Sequence, residues 1–94
     1  MPVIGVLTLE LWVESSHSLK DKRQVVRSLK DRLREKFNVS VAEIEGLDSW
    51  QNSVIAVVTV SNDRTYAEQV LQSAEGHAAS LLGGTLRGSG MEWL

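Results

Sequence analysis

SLKDKRQVVRSLKDRLREKF, residues 18–37, reads as one long amphipathic helix, and the remaining segments fall into place on either side of it. Leu19, Val26, Leu29, Leu33 and Phe37 recur at three- and four-residue steps. At about 100° per residue they occupy roughly one third of the helix circumference, with Val25 and Lys22 on the same side. That side is expected to be buried. Ser18 followed by Asp21 has the spacing of a capping box, in which the hydroxyl accepts from the third helical N–H and the carboxylate reaches back. Asn38, tolerant of the left-handed conformation, is the expected stop before a β-branched run.

The charge on this segment is unusual. Residues 20–36 hold eight of the ten basic side chains against Asp21, Asp31 and Glu35, a net +5, whereas the rest of the chain sets two arginines against nine acids, −7. Lys20, Arg23, Arg27, Lys30 and Arg34 fall within a sector of about 80° and so form a stripe. Lys20, Lys22 and Arg23 lie in the first turn, where the helix dipole opposes positive charge by about 0.3 kcal/mol or more each. A solvated helix surface accounts for such residues, because Lys and Arg are good helix formers. The competing reading is a contact with nucleic-acid phosphates or an acidic protein through Lys20, Lys22, Arg23, Arg27, Lys30 and Arg34.

Working outward, residues 3–13, VIGVLTLELWV, alternate as a strand. Val3, Leu7, Leu9, Leu11 and Val13 form the better core face, leaving Ile4, Val6, Thr8, Glu10 and Trp12 on the other. Residues 39–45 make a second strand whose inward side is ambiguous between Val39 with Val41 and Ala42 with Ile44. Residues 46–51 are a turn, and 52–61 contain VIAVVTV, apolar on both faces and therefore central. Asn62 or Asp63 caps a second helix, whose residues Ala67, Val70, Leu71, Ala74, Ala78 and Leu81 share a face until Gly83-Gly84 stops it. Residues 85–94 form a last strand that Gly88 and Gly90 weaken, as at a sheet edge. The order β-α-β-β-α-β predicts a ferredoxin-like α+β sandwich in one domain, residues 1–94, with both helices on one face of a four-stranded antiparallel sheet.

Such an architecture leaves one sheet face uncovered. The alternation places Ile4, Val6 and Trp12 there, together with Ile55 and Val57 or their neighbours Val58 and Val60. A patch so apolar is expected to be an interface, and a homodimer through this face is the expectation. The competing outcomes are that the strands are twisted and short enough to hide much of it, or that Trp93-Leu94 folds over it.

SLKDKRQVVRSLKDRLREKFNVSVAEIE, with Trp50 and the V-S-N-D tetrapeptide at 60–63, resembles the YlxP-like family of small bacterial proteins of unknown function. The resemblance covers nearly the whole chain and is strongest at LKDKR, FNVSVAE and VSND. It implies a ferredoxin-like fold. Genes of that family commonly lie among those for translation initiation factor two and ribosome-binding factor A, which implies a role near translation or ribosome maturation, with ribosomal RNA or a translation factor as partner. It brings no catalytic residue.

Other chemistries find little support. The sheet-stacking mode of RNA recognition needs aromatic rings on the central strands, where this chain has Ile and Val. His17 and His77 lack a second ligand at metal spacing and read as capping or surface residues. Glu43 and Glu45, two apart on a strand, share a face and read as a solvated strand end. Ferredoxin-like acylphosphatases carry a glycine-rich phosphate loop after strand one, where this chain has Glu14-Ser15-Ser16-His17; GGTLRGSG follows a helix instead of opening one. Trp50, in the hairpin turn, is the most exposed tryptophan by position and a second partner contact. No catalytic, metal or cofactor site is expected. With no cysteine, no basic leader and no apolar run of about 18 residues, a cytoplasmic location and no membrane contact are expected. A binding role follows; the alternative is a dimeric regulatory module resembling the ACT type, sensing a small molecule at its interface.

Overall fold

A computed structural model describes residues 1–94. The elements follow the order β1 (Val3–Trp12), α1 (Leu19–Lys36), β2 (Ser40–Glu45), β3 (Asn52–Ser61), α2 (Arg64–Leu82), a 3-10 turn (Gly83–Thr85) and β4 (Leu86–Trp93). The sheet is antiparallel throughout with order β2-β3-β1-β4. This is the ferredoxin-like split β-α-β arrangement, with both helices on one face.

Local chemistry sets the boundaries of the elements. Ser18 Oγ accepts from Asp21 N at 3.1 Å and starts α1, while Asp21 Oδ2 accepts from His17 N at 3.1 Å. The reciprocal bond of the box thus reaches one residue further back than its simplest form. Asn38 does not end α1 in a left-handed conformation. Phe37 caps it in an extended one, and positive φ occurs only at Gly46 and Gly83. Of the two candidates for α2, Asp63 is the cap, its carboxylate accepting from Thr65 N at 3.1 Å, and Gly83 terminates the helix at φ +55.

The core lies between the helices and one sheet face. Leu7, Leu9 and Leu11 of β1 meet Val26, Leu29 and Leu33 of α1 and Leu71, Ala74 and Ala78 of α2. Val41 supplies the inward side of β2, with Val39 packed against the cluster, and Ile44 is exposed. Ile55 and Val57, expected on the open face, belong to this core and are fully buried. The register explains the correction: Ile55 lies opposite Leu9 and Val57 opposite Leu7, and residues directly opposed on antiparallel strands share a side of the sheet. Because β3 is apolar on both faces, no polar residue marked its outer side.

Trp93 does not cover the open face. Paired through Gly5, it lies on the helix side, packed against the core and with the Arg64 guanidinium 3.9 Å from its ring centroid. Gly5 makes room for it. A Cβ there would stand 2.5 Å from the Trp93 ring and 2.7 Å from Leu71 Cδ1, well inside contact distance. Gly5→Ala is therefore expected to destabilise the fold by about 1–3 kcal/mol, the range for overpacked cores. Urea denaturation tests this through a lowered midpoint at unchanged slope; an unchanged midpoint would mean that Trp93 is not seated over Gly5.

Candidate functional site

The positive charge of α1 divides into two chemically distinct sets. Lys22 faces inward. Its side chain is fully buried, and its ammonium pairs with Glu43 Oε2 at 3.0 Å, donates to Asn52 O at 3.2 Å, and donates to Gly46 O. Glu43, largely buried on β2, also accepts from Ser53 Oγ at 2.7 Å. These bonds join the first turns of α1 to β2 and to both sides of the β2–β3 hairpin. Lys22 therefore has no capacity left for a partner, and its assignment to the binding stripe is corrected to a structural one. It shared the apolar sector of the helix for a reason: the sheet presents acceptors there.

Glu43 is likewise not part of a solvated pair. A register shift between Glu43 and Glu45 separates them, so that Glu43 pairs with Ile55 on the helix side while Glu45 pairs with Val54 on the open side. No spacing rule applied to residues 43–45 could have shown a bulge.

The second set is the stripe. Lys20, Arg23, Arg27 and Arg34 are exposed and Lys30 is half-buried. Only Arg34 has an ion-pair partner, Asp31 Oδ1 at 3.1 Å. Lys20, Arg23, Gln24 and Arg27 surround a depression of about 280 Å³ with no carboxylate in its lining. From Lys20 to Arg34 the stripe runs roughly 21 Å along the helix at about 1.5 Å per residue. Over Lys20, Arg23, Arg27 and Lys30 the array presents positive potential without an ion-pair partner, which suits a polyanion.

The open sheet face carries Ile4, Val6, Thr8, Glu10 and Trp12 from β1. From β3 it carries Val54, Ala56, Val58 and Val60, of which Val60 is 58% exposed. No ring occupies the middle of the face, since Thr8 pairs with Ala56 and Val6 with Val58. Trp12 stands at its end, and Trp50 is 52% exposed in the hairpin. The histidines stay apart: His17 is exposed beside the α1 cap, and His77 packs edge-to-face on Phe37 at 6.0 Å. No three His, Asp or Glu side chains converge in a metal-binding group, and no helix is long and apolar enough to cross a membrane.

Fold and surface together define a small ferredoxin-like α+β protein with a cationic helix and an open sheet. It belongs to the family of proteins of unknown function DUF503, whose model matches residues 4–84, from β1 to the turn before β4. The chain is 37% identical over 70 residues to the uncharacterised protein YlxP of Bacillus subtilis strain 168, covering 74% of this chain and 76% of that one. Among solved structures it resembles the de novo designed protein Foldit4, with TM-score 0.59 and 15% identity over 100% of this chain and 97% of that one. It also resembles a dimeric ferredoxin-like protein of unknown function from Thermobifida fusca YX, with TM-score 0.59 and 12% identity over 99% and 90% of the two chains. At these identities the structural likenesses establish the architecture.

The buried ammonium can be tested apart from the stripe. Lys22→Ala strands the Glu43 carboxylate and two backbone carbonyls, and is expected to cost about 3–5 kcal/mol, as when one partner of a buried pair is removed. Arg23→Ala, on the exposed stripe, should stay within about 0.5 kcal/mol of the parent. Adding Glu43→Leu to Lys22→Met should recover part of the loss in thermal or urea unfolding. Equal stability of Lys22→Ala and Arg23→Ala would show that the buried network is not formed.

Proposed function

We propose that this protein is a non-catalytic, homodimeric RNA-binding protein that holds phosphate backbone along the outward face of α1, and that it serves the translation apparatus. The observation that carries the reading is the uncompensated stripe: Lys20, Arg23, Arg27 and Lys30 make no ion pair, and nearby Asp31 is taken by Arg34. Phosphates would release condensed counterions on meeting these side chains, giving contact that is salt-sensitive and indifferent to base sequence. The setting in translation is drawn from the resemblance described above, and the geometry speaks to the phosphate.

The homodimer rests on the open face. Strands about eight residues long, four abreast, cover roughly 26 Å by 19 Å, about 500 Å² per copy. Two copies would bury about 1,000 Å², the lower bound for a specific interface. The dimeric ferredoxin-like protein from Thermobifida fusca shows that a fold of this kind is compatible with dimerisation.

Two measurements test the two halves of the reading. Binding to single-stranded poly(U) should weaken about 100-fold between about 50 and 200 mM salt if five phosphates are engaged, from a slope near 0.7 per contact. Arg23→Glu, Arg27→Glu and Lys30→Glu together should abolish it; binding that survives this triple reversal, or shows no salt dependence, would exclude the stripe. Separately, Val58→Glu should convert a dimer to a monomer in sedimentation equilibrium, by placing a charge in the middle of the apolar face. A parent chain already monomeric at about 100 μM would remove the dimer from the reading, given that obligate interfaces hold far below that concentration.

A further inference from the structure

The largest concavity of the molecule lies on the opposite flank of α1 from the stripe. At one end of the helix layer α1 and α2 touch, through Phe37 and His77. Toward the other end, where α2 stops at Leu82 beside the first half of α1, lies a groove of about 660 Å³. Its apolar walls are Val25 of α1 and Leu81 and Leu82 of α2, over a floor to which the buried Leu29 and Val13 contribute. Leu81 is 38% exposed along its edge, an apolar side chain with no cover. The volume falls within the range of about 300–1,000 Å³ typical of small-molecule sites.

The polar groups around these walls specify a charge. Gln24 and Ser28 offer neutral donors about two and three helical turns from the α1 cap, and Arg32 stands at the groove with no carboxylate within ion-pair distance. Asp21 also borders the groove, but it lies eleven residues from Arg32, about 16 Å along the helix at about 1.5 Å per residue, with its Oδ2 accepting from His17 N in the helix cap. Arg32 is therefore the one cation of the lining, well separated from its one anion. An apolar trough with a single guanidinium at its rim matches a ligand with one anionic head and a hydrocarbon body. The guanidinium fork fits a planar carboxylate in a bidentate manner, whereas one cation leaves half the charge of a phosphate dianion unanswered.

We infer that the α1–α2 groove is a binding site for a medium-chain carboxylate, with Arg32 pairing the head and Val25, Leu81 and Leu82 holding the chain. The site lies within one chain, on the layer opposite the open sheet face, and needs no second copy. It is equally separate from the phosphate stripe, because Arg32 and Arg23 lie about 180° apart around α1.

Octanoate titrated into the ¹⁵N-labelled protein tests the assignment. Saturable amide shifts are expected at Val25, Ser28, Leu29, Leu81 and Leu82, with a dissociation constant in the range of about 0.1–1 mM suited to so small a ligand. Arg32→Gln, whose own spectrum reports that it is folded, should weaken octanoate about 10–100-fold, the worth of a charge-assisted hydrogen bond. Octan-1-ol should bind the parent and Arg32→Gln equally. Leu81→Glu should remove octanoate binding by setting a carboxylate against the chain. Octanoate bound equally by the parent and Arg32→Gln, shifts centred on Lys20, Arg23 and Arg27, or no saturation by about 5 mM would each overturn the inference.

Discussion

A buried ammonium fixes how this molecule is assembled. Taking Lys22 out of water costs several kcal/mol, and the cost is met only because Glu43, Asn52 O and Gly46 O converge on one point. Those acceptors come from β2 and from both ends of the hairpin, so the ion locks the rotation of α1 about its axis as well as its distance from the sheet. Gly46 is part of the same constraint. Its φ of +79 suits glycine, and a Cβ there would run into Asn52 O, the next acceptor in the set. With Lys22 directed inward, the positions 80–160° further round the helix must face outward, and those positions are Arg23, Arg27, Lys30, Arg34 and Lys20. The orientation of the stripe is thus a consequence of one internal charge.

The sequence makes the architecture legible because its signals are periodic. Alternation in β1, three- and four-residue spacing in α1 and α2, and glycine or capping residues at their ends agree on one topology, which is the mark of a consistent sequence. The failures share a cause. At β3 both faces are apolar, so period two carries no sign, and only pairing with Leu7 and Leu9 shows that Ile55 and Val57 point to the helices. At residues 43–45 a bulge breaks the period, and Glu43 turns inward while Glu45 does not.

Lys22 is the instructive case, because its position in the apolar sector was visible while its chemistry argued for the surface. Lysine almost never occurs fully buried unless paired. Its partner comes from a different element, 21 residues later, and no local pattern joins the two. The groove between the helices was hidden for a similar reason. Val25 and Leu81 each read as core at helical spacing, and only the end of α2 beside the first half of α1 leaves them bordering a groove. Arg32 sits outside the 80° sector of the stripe and so escaped notice beside its more regular neighbours.

The division of charge bears on how a second copy could approach. The −7 outside α1 places Glu10 and Glu45 on the open sheet face, both paired with Val54 and both lining the depression that holds Trp12 and Arg87. Arg87 donates to Gly84 O at 2.7 Å, which ties its guanidinium back toward its own chain. Two faces stacked over the Glu10 end would oppose four carboxylates with little to neutralise them. At the other end Ile4, Val6, Val58 and Val60 occupy the two central strands without a charge between them, and Glu92 stands outside them on the β4 edge. Since like charges brought together at an interface cost several kcal/mol, a second copy covering the whole face would be favoured with its Glu10 end over the Ile4 and Val60 end of the first, so that the two acidic ends lie apart. In that arrangement both basic helices remain on the outer layers, so covering the sheet leaves the stripe free.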